Sequence, residues 1–150
     1  MSSSPEILIV DDNEEQVAYL SQILEDNGFG YSIARNGVEA LNRLQKSPPS
    51  LVLLDIMMPR KSGVNVFQQM KKSPDLTSIP VIIITGASQV LGVSMKTGEQ
   101  KPKESYEDDF ARSFGDTLRE KLQGLTPDAL IEKPIDPRNL VEKIRELLPR

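Results

Sequence analysis

A chain of 150 residues with 38% apolar and 27% charged residues is long enough for one domain with its own core, and its net charge of -4 comes without the basic stripe that DNA or RNA binding needs. The absence of Cys and His excludes disulfide frameworks, thiol nucleophiles, cysteine zinc sites and Ser-His-Asp or Cys-His catalysis, leaving carboxylates, Lys, Thr and any hard cation that oxygens can hold. No apolar run approaches the roughly 18 residues of a membrane span and Met1 to Pro5 lacks the regions of a signal peptide, so a cytoplasmic protein with no membrane partner is expected.

In chain order, Glu6 to Val10 predicts a first strand, β1, that ends in Asp11-Asp12. From Glu14 to about Asn27, Val17, Leu20, Ile23 and Leu24 fall on one helical stripe, and Gly28 is a suitable stop, giving α1. Phe29 to Ala34 predicts β2, nearer a sheet edge. Gly37 to Lys46 predicts α2, with Val38, Leu41 and Leu44 on one face and Ser47-Pro48-Pro49 ending it. Leu51 to Leu54 is a continuous apolar run, as in a strand buried on both faces, and it closes on a carboxylate, Asp55; this is β3. A turn-rich loop from Pro59 to Gly63 leads into α3, with Val64, Phe67 and Met70 on its buried side.

Val81 to Ile84 predicts β4, which stops at Thr85-Gly86. Ala129 to Ile131 predicts β5, which stops at Glu132-Lys133-Pro134. Asp136-Pro137 is a strong start for a last helix, whose stripe is Leu140, Val141, Ile144, Leu147 and Leu148. The 44 residues from Thr85 to Ala129 are far longer than the other crossovers. Within them Ser94 to Asp109 reads as an exposed polar loop. Ser105-x-x-Asp108 reads as a capping box for a helix with Phe110, Phe114, Leu118, Leu122 and Leu125 on its apolar face, which Gly115 weakens by about 1 kcal/mol relative to Ala.

Strands alternating with helices predict an α/β fold, a parallel sheet with helices on both faces and no internal domain boundary. The strand ends then share one rim: Asp11 and Asp12 after β1, Asp55 closing β3, Thr85 after β4, Lys133 after β5. If the strand order is 2-1-3-4-5, β1 and β3 are neighbours at the topological switch point and three carboxylates converge there. Such a cluster is unfavourable unless carboxyl pKa values rise or a cation sits among the oxygens, and Mg²⁺ suits two or three carboxylate oxygens plus a backbone carbonyl. Lys133 and Thr85 suit the stabilisation of a phosphoryl group, with Asp55 as its nucleophile. Each residue also has a plainer reading: Asp12 as a cap for α1, Thr85-Gly86 as a turn, Lys133-Pro134 as a surface Lys before a turn.

Asp11-Asp12, Asp55 with Pro59 and Gly63 downstream, Thr85-Gly86-Ala87 and Lys133-Pro134 together resemble the signature of the response-regulator receiver domain of two-component signalling, over Glu6 to Leu148 apart from the long crossover. The resemblance implies a doubly wound (βα)5 fold, with Asp55 accepting a phosphoryl group from a histidine kinase or phosphotransfer protein. It implies that Asp12 and Asp55 bind Mg²⁺ directly with the carbonyl of Met57, that Asp11 acts through water, and that Thr85 and Lys133 are the switch hydroxyl and the phosphate-contacting lysine. The implied partners are that phosphodonor and an unidentified downstream protein, or a second copy in a phosphorylation-dependent homodimer, without direct nucleic-acid contact.

Two departures stand out. Leu130 occupies the position three before Lys133 where the family usually has Tyr or Phe, so aromatic reorientation is not the expected output signal. The crossover after β4 is about twice the family's length, and an inserted loop at about 88–109 is read either as inert and solvated or as altering partner choice or phosphoryl lifetime. The whole of 1–150 is expected to be a single receiver domain, flexible at 1–5 and without an output domain. It would be either a regulator working through its partners or a piece of something longer. Beyond its own phosphorylation and dephosphorylation no enzymatic activity is expected. A haloacid dehalogenase-type phosphatase would need a second carboxylate where Met57 stands, and a P-loop nucleotide site lacks its Gly-rich stretch. A receiver-like interaction module that is never phosphorylated is the remaining alternative.

Overall fold

The computed structural model describes residues 5–56, 62–85 and 127–148. The expectations for the crossover loop at about 88–109, the helix through Phe110 to Leu125, the carbonyl of Met57 and the first four residues lie outside these. Within them the order is β1 (Glu6–Val10), α1 (Glu14–Asp26), β2 (Gly30–Ala34), α2 (Gly37–Lys46), β3 (Leu51–Asp55), α3 (Ser62–Lys72), β4 (Val81–Thr85), β5 (Ala129–Glu132) and a helix over Pro137–Leu147. The five strands form one sheet in the order β2-β1-β3-β4-β5, with every neighbouring pair parallel. β1 and β3 are thus neighbours, as the switch-point reading requires.

Strand boundaries differ from the sequence reading by one residue in three places, and hydrogen bonding explains each. Phe29 does not enter β2, because its N–H donates to Leu24 O at 3.0 Å as part of the ending of α1, where Gly28 takes φ +83°. The ladder starts at Gly30, which pairs with Glu6. β4 and β5 each run one residue further than their apolar runs, because Thr85 pairs with Glu132.

The pleat divides the core into two layers. Leu8, Val10, Val52, Leu54, Val81 and Ile83 pack with Ala40 and Leu44 of α2 and with Val66, Phe67 and Met70 of α3. Ile7, Ile9, Leu51, Leu53, Ile82, Ile84 and Ile131 pack on the other side with Val17, Leu20, Ile23 and Leu24 of α1 and with Leu140, Val141 and Ile144 of the 137–147 helix. Because both faces are covered, β1 and β3 read as continuous apolar runs rather than alternating ones. Among the described residues no helix is long and apolar enough to cross a membrane.

Helix starts are fixed by side-chain caps. Asn13, rather than Asp12, caps α1, its Oδ1 accepting from the Gln16 N–H at 2.8 Å. Asp136 caps the 137–147 helix, with Pro137 in its first turn. At α2 two side chains share the work: Asn36 Oδ1 accepts from the Glu39 N–H at 2.8 Å, and Glu39 Oε1 accepts from the N–H of Arg35, the residue before the cap, at 2.6 Å. Asn36→Ala is expected to cost about 1 kcal/mol, read as a fall of roughly 2–4 °C in the thermal midpoint.

Candidate functional site

The same pleat places the polar residues of the rim. Alternation along β1 continues from Ile7 and Ile9 to Asp11, along β3 from Leu51 and Leu53 to Asp55, and along β5 from Ile131 to Lys133. These three belong to the face that carries α1. Thr85 follows Val81 and Ile83 and falls on the other face by the same parity, one residue beyond the Ile84 that pairs with Asp55.

Asp11, Asp55 and Thr85 are the buried polar or charged residues of the described chain, whereas Asp12 is exposed. One carboxylate oxygen from each of Asp11, Asp12 and Asp55 lies within 4.8 Å of the others. Lys133 Nζ stands 3.9 Å from Asp55 Oδ2, a charge contact rather than a hydrogen bond. Lys133 is held there by its backbone, whose N–H donates to Thr85 O at 2.9 Å. Of the site residues expected from sequence, the described ones lie at one rim: three carboxylates, a lysine and a threonine bonded to that lysine through the main chain.

Asp11 shows the electrostatic cost. Burial pushes its carboxyl up from 3.8 to about 6, and the charge of Asp55 pushes the same way; the Asn13 N–H, donating to Asp11 Oδ1 at 2.9 Å, and the charge of Lys133 oppose them. Its other oxygen, Oδ2, is buried without a hydrogen-bond partner. A group whose pKa is raised by folding stabilises the folded state below its unfolded value, and that contribution is lost as pH climbs through about 6. Without divalent cations, Asp11→Asn is therefore expected to raise the thermal midpoint at pH 7.5 by roughly a few degrees, the gain shrinking toward pH 4.5. An equal gain at both pH values would show that Asp11 is not a strained carboxylate.

The donor set suits a hard divalent cation: oxygens alone, two of the three acids buried, and one buried oxygen without a partner. Two further features escaped the sequence reading. Asn13 serves the cluster twice, donating to Asp11 and capping α1. Gln16, in the first turn of α1, has its side-chain Nε2 buried without a partner. Its spacing to Leu20, Ile23 and Leu24 puts it at the rim end of the buried stripe, a signal that periodicity carried but composition hid.

The family model described as the response regulator receiver domain matches residues 7–98. The chain belongs to the response regulator receiver family. As a receiver it is similar to a probable cyclic di-GMP phosphodiesterase of Vibrio cholerae, at 46% identity over 82 residues, covering 55% of this chain and 18% of that protein. It is also similar to the polar-differentiation response regulator DivK of Brucella anthropi, at 37% identity over 79 residues, covering 53% of this chain and 64% of that one. Among solved structures, the signal receiver domain of a signal transduction histidine kinase from Syntrophus aciditrophicus superposes with a TM-score of 0.72 at 28% identity, covering 97% of this receiver and 90% of that chain. The receiver spans less than two thirds of the length of these curated relatives.

Proposed function

We propose that this receiver is a phosphorylatable switch of two-component signalling in which Asp55 accepts a phosphoryl group. The observation that carries the reading is the buried Asp55 carboxylate, held between two further acids and the ammonium of Lys133 at 3.9 Å. A carboxylate oxygen of Asp55 attacks phosphorus while the bond from phosphorus to the donor breaks. The donor is a phosphohistidine of a histidine kinase or phosphotransfer protein; its imidazole nitrogen leaves with the electron pair of the broken P–N bond and takes a proton from solvent, giving back histidine. Lys133 supplies positive charge to the transferred oxygens, and the Thr85 hydroxyl, buried without a partner, supplies a neutral donor. Asp11, Asp12 and Asp55, with the carbonyl of Met57, would hold Mg²⁺. When bound, the ion offsets the charge of the carboxylates and of the incoming phosphoryl group.

The receiver's chemistry on this reading is the gain and loss of its own phosphoryl group in the cytoplasm. The phosphodiesterase name belongs to a protein of which the matched region is a minor part. Phosphorylation biases an existing equilibrium between two conformations, and a downstream protein or a second copy reads the result by binding them unequally. Leu130, at the sheet edge and 36% exposed, leaves no aromatic ring at its position to report the change. The test is intact mass after incubation with Mg²⁺ and acetyl phosphate. A gain of one phosphoryl group that requires Mg²⁺ is expected; no gain from the folded protein, and none from a histidine kinase, would favour an interaction module that is never phosphorylated.

A further inference from the structure

Tyr19 lies on α1 outside the buried stripe and is 42% exposed, yet its hydroxyl donates to the main-chain carbonyl of Ile135 at 2.9 Å, 116 residues away. Ile135 belongs to the short connection that leaves β5 with Lys133 and enters the 137–147 helix at its Asp136 cap. That connection is poor in main-chain donors, because Pro134 and Pro137 have no N–H. Its fastenings among the described residues include the Lys133 N–H on Thr85 O, the Lys133 charge contact with Asp55, the buried Ile135 side chain, the Asp136 cap with the Leu140 N–H on Asp136 O, and Tyr19.

The contact therefore closes a ring. Asp11 and Asp12 run directly into Asn13 and α1; α1 reaches through Tyr19 to Ile135; two residues back, Lys133 faces Asp55, which stands against the same acids. We propose that Tyr19 is a positioning residue for Lys133, tying the lysine-bearing connection to the helix that starts at the acid pair. The proposal rests on the reading that Lys133 contacts a phosphoryl group on Asp55. Without the hydroxyl, the connection samples other positions, and affinity for an anion at Asp55 falls by the fraction of time Lys133 is misplaced.

The probe is beryllium fluoride with Mg²⁺, a phosphoryl mimic that binds a carboxylate, and the variant is Tyr19→Phe, which removes only the hydroxyl. Loss of one hydrogen bond's net contribution predicts about fivefold weaker binding of the mimic. Mg²⁺ affinity measured alone is expected to be unchanged. The Ile135 carbonyl carbon resonance is expected to shift as its hydrogen bond is lost. In a Lys133→Ala background, Tyr19→Phe is expected to add no further loss, which a merely structural tyrosine would not satisfy. Unchanged mimic affinity in Tyr19→Phe, an equal loss in the Lys133→Ala background, or a parallel loss of Mg²⁺ affinity would each overturn the proposal. Failure of the unaltered protein to bind the mimic at all, with Mg²⁺ bound, would overturn the acceptor reading and take this inference with it.

Discussion

In Asp55→Asn, phosphoryl incorporation from acetyl phosphate is expected to fall from one group per chain to none, with the fold intact. The substitution keeps the shape of the side chain while replacing an anionic oxygen by an amide nitrogen, so the nucleophile is removed and the packing is not. The variant also relieves like-charge crowding, since Asp55 shares its site with Asp11 and Asp12. Its melting midpoint without cations should accordingly be no lower than that of the parent. The measurement is intact mass, followed by hydroxylamine treatment of the phosphorylated parent, because an acyl phosphate is cleaved by it and a phosphoserine is not. A phosphoryl group that persists in Asp55→Asn would place the acceptor on another residue.

Gly63→Ala is expected to be strongly destabilising. A Cβ at position 63 would stand 2.8 Å from Ile56 Cα and closer still to the Asp55 carbonyl oxygen. Those atoms are main chain at the end of a central strand, so no side chain can rotate away, and α3 must move off β3. A loss of about 3 kcal/mol follows, seen as a fall of roughly 6–12 °C in the thermal midpoint. Because the collision is with Asp55 itself, phosphorylation measured well below the new midpoint should also slow. A melting point within about 1 °C of the parent would show that the approach of α3 is not fixed by this contact.

The parts of this fold that were legible in the sequence are those where hydrophobicity and geometry report the same thing. β1 and β3 announce themselves as apolar runs closed by acids, and the caps Asp136 and Gly28 sit where turn chemistry puts them. Legibility failed where hydrogen bonding and hydrophobicity part company. Thr85 and Glu132 are paired although one is a hydroxyl and the other a charge at the edge of an apolar run. Asp12 and Asn13 are both good capping types, and only the reach of one side-chain oxygen to the Gln16 N–H decides between them. The union of Tyr19 with Ile135 has no local signature, since neither residue type nor spacing links positions so distant in the chain.

The strand order also fixes the sequence in which the site can be assembled on a growing chain. β1 and β3 can meet once the chain is available as far as Asp55, so the carboxylates of Asp11, Asp12 and Asp55 can converge early. Lys133 arrives only after β5 has found β4 across the longest crossover in the chain, a closure whose entropy must be met before any contact rewards it. On a chain that grows from its N-terminus, the three acids are thus available before the lysine whose charge offsets theirs.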